Sequence, residues 1–199
     1  QLGFSVVSNS AEKGKAIAGE KTPRHILSAD QILDTYPNAK LISLFRDPRA
    51  AAYSEIKAEF GSPSVFVTTR RWRKYVQKHL ELKRSLSDEQ YKMLCYKDLI
   101  ANPEHILKEL CTFLGVSYDP AMMKYYQRDE SGFAEGESAW KKDTLKPIQD
   151  DKNEEWKKFL NSWQVQLIED TAGPYLEKLG YSRTAGKQNF INKLFFKSL

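Results

Sequence analysis

Two cysteines and three histidines in 199 residues leave little material for a disulfide framework or a metal site. Cys95 and Cys111 lie far apart, with no Cys-x-x-Cys and no histidine at ligand spacing, so both are expected to pack in the core, in a reducing compartment. No apolar run approaches the length of a membrane span and no charged-then-apolar leader opens the sequence, which makes a soluble, cytoplasmic protein the expectation. Internal repeats, heptads and low-complexity segments are absent, and 41% hydrophobic residues suffice for one core and one domain. A broad basic surface is missing too. Of the net charge of +5, residues 183–199 supply four cations and no acid, so the preceding 182 residues sum to +1. A duplex backbone is therefore a poor partner, and a few local cations around a small polyanion fit better.

What is present is punctuation for alternating strands and helices. Ser28-x-x-Gln31 is a capping-box signal for a helix to about Tyr36, stopped by Pro37. Leu41–Phe45 reads as a strand buried on both faces, polar only at Ser43. A helix is expected from about Arg49 to Phe60, ended by Gly61. Trp72, Tyr75, Val76, His79 and Leu80 then repeat at helical spacing within the basic segment 66–84. Tyr91–Tyr96 is a second buried strand. Asn102-Pro103-Glu104 launches a helix through Leu114 that Gly115 closes. Residues 127–152 read as a polar loop, followed by helices at Glu154–Leu160 and Val165–Leu179 with Gly180 as the stop. A further strand is possible at Phe4–Val7. The pattern is α/β with a parallel sheet.

The segment 39–54 carries the most chemistry. Its strand ends on Arg46, turns at Asp47-Pro48 and opens a helix that bears Ser54. Backbone N–H groups and the helix dipole favour anions at such a junction, and arginine adds a fixed, fork-shaped phosphate ligand. The plainer reading is a strand-to-helix turn in which Arg46 pairs with Asp47 or a nearby acid. Three more segments are notable: Gly19-Glu20-Lys21-Thr22-Pro23-Arg24-His25, Cys95-Tyr96-Lys97-Asp98-Leu99 ahead of Asn102-Pro103-Glu104, and Leu145-Lys146-Pro147-Ile148 followed by Trp156 and Leu179-Gly180-Tyr181. Taken singly, they read as an exposed lysine before a turn, ordinary helix punctuation, and a solvated lysine in a loop.

In this order and spacing, over roughly residues 17–182, the four segments resemble sulfotransferases of the carbohydrate and tyrosylprotein type that use 3′-phosphoadenosine-5′-phosphosulfate (PAPS). The resemblance implies a three-layer P-loop-NTPase-like α/β domain at 1–182, its parallel sheet flanked by helices and here without its first strand. A basic amphipathic tail would follow at 183–199. It further implies transfer of a sulfuryl group from PAPS to an acceptor hydroxyl, without metal or covalent intermediate. By the same resemblance Arg46 and Ser54 hold the 3′-phosphate, and Tyr96 and Lys146 the rest of the nucleotide, with Lys141 and Lys142 as competitors of Lys146. Lys21 approaches the transferring sulfo group, where a compact ammonium suits charge building on oxygen. His25, close to Lys21, is a candidate base for the acceptor hydroxyl.

One departure stands out. No Lys-x-Gly-Thr-Thr type loop is present, nor a Gly-x-x-x-x-Gly-Lys-[Ser/Thr], to cradle a 5′-phosphosulfate. Either an N-terminal portion of the domain, with the acidic base that relatives tend to carry there, lies outside these residues, or the chain is a non-catalytic nucleotide-binding or partner-docking domain derived from the same fold. Phe190, Ile191, Leu194, Phe195 and Phe196 could then form an amphipathic helix for a partner or an anionic membrane surface, against the plainer helix packed on its own domain. The acceptor stays open among carbohydrate, tyrosyl peptide, lipid and small-molecule hydroxyls.

Overall fold

Strand β1 (Leu41–Phe45) and strand β2 (Tyr91–Cys95) pair in parallel, with Leu41 opposite Tyr91 and Phe45 opposite Cys95. The computed structural model describes residues 17–58, 61–127, 146–147 and 154–184. Phe4–Val7, Lys141, Lys142 and the tail from residue 185 lie outside them. Parallel strands need a long crossover, and helices α2 (Pro48–Lys57) and α3 (Val65–Ser85) supply it. A 3₁₀ turn (Pro23–Ser28) and helix α1 (Ala29–Thr35) precede β1. After β2 come α4 (Tyr96–Ala101) and α5 (Pro103–Leu114), the latter closed by Gly115 in the left-handed region at φ 76°. A 3₁₀ segment (Pro120–Gln127) and helices α6 (Trp156–Phe159), α7 (Ser162–Ala172) and α8 (Pro174–Lys178) complete the described chain. Among the described residues no helix is long and apolar enough to cross a membrane.

Three apolar clusters among the described residues hold these elements. Ala29, Leu82 and Tyr91, joined by Ile26, Leu41 and Met93, pack α1 and α3 onto one face of the sheet. Ala50, Ala52, Val65, Trp156, Val165 and Ile168 pack α2, α3, α6 and α7 together beside it. His79 sits among the first group with Nδ1 3.0 Å from Tyr91 Oη, and burial pushes its pKa down to about 4. Both cysteines are free, Cys111 buried and Cys95 half-buried.

Four local expectations are corrected. Ser28 makes no side-chain cap, because the 3₁₀ turn runs straight into α1 and Ala29 N–H already bonds Ile26 O; a capping box forms instead at Asn161 and Gln164. β1 is not buried on both faces. Ser43 is 6% exposed whereas Ile42 and Leu44 are 42% and 48% exposed, since α1 and α3 cover the Ser43 face and α5 lies toward β2, where Lys92 pairs with Glu109. α2 stops at Lys57 rather than Phe60, as Ala58 turns extended. The expected helix 165–179 is two helices, broken where Gly173 takes φ 58°, ψ −137° ahead of Pro174.

Candidate functional site

At the carboxyl end of β1 the chain must turn from strand to helix, and Asp47 caps the turn. Its Oδ1 accepts from Arg49 N–H at 2.8 Å, and Pro48 fills the first helical position, where no N–H is needed. The favourable field at the amino end of α2 is thus occupied by a carboxylate of the chain itself.

Asp47 is neutralised by Arg49 rather than by Arg46. The Arg49 fork meets both Asp47 oxygens, Nε at 2.9 Å and Nη2 at 2.6 Å, while Nη1 lies 2.7 Å from Glu169 Oε1 and 3.0 Å from Ser182 O. The group is buried, with Glu169 0% and Arg49 4% exposed. Burial pulls the Arg49 pKa down, but Asp47 and Glu169 outweigh it and the net shift is upward. Glu169 also accepts from Thr184 N–H and Oγ1 at 2.9 and 2.8 Å, and the guanidinium lies 4.5 Å over the Trp156 ring. Arg183 bonds Asp170 at 3.1 Å, so packing continues into the first residues of the segment read as a tail.

With Asp47 taken by Arg49, Arg46 is placed differently. Its backbone oxygen accepts from Trp72 Nε1 at 2.9 Å, and its half-buried guanidinium lies 4.8 Å over the ring of Tyr96 at the end of β2. Burial lowers its pKa against the raising effects of Tyr96 and Asp47, from a starting value so high that the charge persists. Tyr181 seals the sheet end alongside, edge-on to Phe45 at 6.5 Å and with Oη 3.3 Å from Cys95 Sγ. Burial and the Cys95 contact push its phenol far up, so it stays protonated.

Ser54 is exposed on α2, and its hydroxyl has no hydrogen-bond partner among the described residues. Lys146 reaches the same region through Tyr125, whose Oη donates to Lys146 O at 3.0 Å and whose phenol is raised by burial and then by Tyr96 nearby. Arg46 and Tyr96 are therefore in contact, and Lys146 is tied through its backbone oxygen to Tyr125 nearby. Lys21 and His25 sit ahead of and within the 3₁₀ turn, and neither makes a polar contact with Arg46 or Tyr96. Glu20 organises that turn, with Oε2 2.6 Å from His25 Nδ1 and Oε1 accepting from Thr22 Oγ1 at 2.7 Å. Lys21 is exposed and makes no ion pair with another described residue.

The sequence reading missed Arg49, Glu169 and Tyr125. Glu169 had a signal: it borders the apolar stripe Val165, Ile168, Ala172, Leu176, and a carboxylate buried there requires a buried cation. Chemically the sheet end offers a guanidinium over an aromatic ring, with an exposed hydroxyl on the helix that follows and a lysine on the segment held by Tyr125. That donor set suits a phosphorylated ligand with an aromatic portion.

Comparison with known proteins gives the family. A sequence model of the sulfotransferase family matches residues 3–120, more than half of the chain. The chain is 22% identical to a protein-tyrosine sulfotransferase of Drosophila melanogaster and 23% identical to protein-tyrosine sulfotransferase A of Caenorhabditis elegans, matching over 96% and 85% of its own length. It spans only 39% and 46% of the length of those two relatives. Among solved structures it is similar to the sulfotransferase domain of the Synechococcus PCC 7002 olefin synthase, with 25% identity, TM-score 0.60, and 82% of this chain and 58% of that one covered. A sulfotransferase domain from the curacin biosynthetic pathway shares the fold at 20% identity and TM-score 0.59, with 81% and 59% covered. The parallel strands flanked by helices are thus the P-loop-like α/β architecture of these domains, and the chain belongs to the sulfotransferase family.

Proposed function

We propose that the chain takes part in sulfuryl transfer from PAPS to an acceptor hydroxyl. The observation that carries this reading is the Arg46 guanidinium over Tyr96 at the ends of both parallel strands, with the free Ser54 hydroxyl on the following helix. Arg46 and Ser54 hold the 3′-phosphate, Tyr96 flanks the nucleotide, and Lys146 adds a cation from its loop. When bound, PAPS supplies the activated sulfuryl group. Lys21 offers a point charge to the sulfonate oxygens, and the interaction counts for rate where it strengthens as the bond to phosphate breaks. Glu20 fixes His25 through Nδ1, which leaves Nε2 as the nitrogen able to take the acceptor's proton. The names of the curated relatives make a tyrosyl phenol the first acceptor to test.

The experiment is calorimetry with 3′-phosphoadenosine 5′-phosphate and its analogue lacking the 3′-phosphate. Arg46→Ala should weaken the first far more than the second, by about tenfold or more, since one charge-assisted contact contributes about 1.5–3 kcal/mol. Ser54→Ala should act in the same direction but less. Equal losses for both nucleotides remove Arg46 from this role.

A second reading is favoured by one observation, the absence of a Lys-x-Gly-Thr-Thr type loop from the sequence. In it the domain binds nucleotide or a partner without turnover. Nucleotide binding with no sulfuryl transfer, even when a segment carrying such a loop is supplied, would establish that reading.

A further inference from the structure

The face of α3 turned away from the sheet meets the elbow between α7 and α8 in an open groove of about 840 Å³. Helical geometry puts it on the opposite side of α3 from Trp72, which bonds Arg46 O, so it is separate from the site above. Arg70, Arg73 and Lys74 line it at one-turn spacing, where like charges repel. The one carboxylate among the described residues lining the groove, Asp170, is already held by Arg183 and by Gln166, each at 3.1 Å. Arg73 donates to Thr171 O at 3.3 Å, whereas Arg70 and Lys74 have no ion pair among the described residues.

A further feature points to a ligand. Phe66 and Val67 are 41% and 45% exposed within the same groove.

We propose that this groove docks an acidic polypeptide segment carrying an apolar side chain. Carboxylates meet Arg70, Arg73 and Lys74, and the apolar side chain covers Phe66 and Val67. Charge complementarity selects this occupant. A nucleic acid is disfavoured, because the cations span about one helical turn and reach few phosphates. The inference is independent of the proposed reaction, since none of these residues belongs to the Arg46 site.

The test is fluorescence anisotropy on the full chain with a fluorescein-labelled peptide of alternating glutamate and leucine. The comparators are the same peptide with lysine for glutamate and a single-stranded DNA oligonucleotide. The acidic peptide should bind saturably and the lysine peptide should not. The double variant Arg70→Glu/Lys74→Glu should weaken binding at least about tenfold, as loss of charge-assisted contacts implies. Equal binding of the lysine peptide, tighter binding of DNA, or unchanged affinity in the double variant overturns the proposal.

Discussion

At Arg49 one guanidinium meets two buried carboxylates, so its loss takes a cation from both Asp47 and Glu169. Breaking a buried pair from one side costs about 3–5 kcal/mol, and Arg49→Met should lower the denaturation midpoint accordingly. Glu169→Gln, which keeps an oxygen for Thr184 and leaves the Asp47 pair intact, should cost clearly less; the two urea curves decide. His79 gives a pH signature. Its folded pKa of about 4 lies below the ordinary 6.5, so beneath pH 6.5 the unfolded chain binds the extra proton. Its contribution is full above pH 6.5 and lost as pH falls toward 4, a loss of order 3 kcal/mol. Stability measured across that range should fall less steeply for His79→Gln than for the unsubstituted chain.

Between the elements, legibility followed how local the signal was. β1 and β2 were readable to within a residue because apolar runs between turn residues are set by nearby sequence, and α5 because Pro103 and Gly115 mark its two ends. The face assignment of β1 failed because exposure of Ile42 and Leu44 depends on which helix covers which strand, a tertiary fact. Arg46 meeting Tyr96 follows from the parallel register, which no single motif contains. The break in the last helix is different: Gly173-Pro174 marks it in the sequence, while the apolar periodicity runs across it unbroken. Gly173 holds φ 58°, ψ −137°, a region almost reserved for glycine, although a Cβ there would meet nothing nearer than 3.8 Å. Gly173→Ala should therefore cost about 1–3 kcal/mol through backbone strain alone, and thermal unfolding of that variant measures it.

For the molecule as a whole, the question is whether the groups assembled at one sheet end suffice for turnover. Arg46 lies over Tyr96 and Lys146 is tied to Tyr125 nearby, but Lys21 makes no polar contact with Arg46 or Tyr96 among the described residues, and the sequence holds no glycine-rich loop to fix a 5′-phosphosulfate between them. Positioning is a large part of what such a reaction needs. The 199-residue chain should accordingly bind 3′-phosphoadenosine 5′-phosphate yet turn over labelled PAPS negligibly, and supplying a segment with a Lys/Gly/Thr donor loop should restore transfer. In that restored enzyme Lys21→Ala should lower kcat about 10²–10³-fold, the usual loss for one preorganised transition-state charge, while donor affinity changes little. Lys21→Arg should rescue poorly, because a planar fork does not replace a compact ammonium. His25→Ala is the matched control: loss of the acidic limb of the rate profile there, with Lys21→Ala near wild type, would shift the catalytic role to His25 and its Glu20 partner. Robust turnover by the 199-residue chain alone would show that the donor is cradled without such a loop.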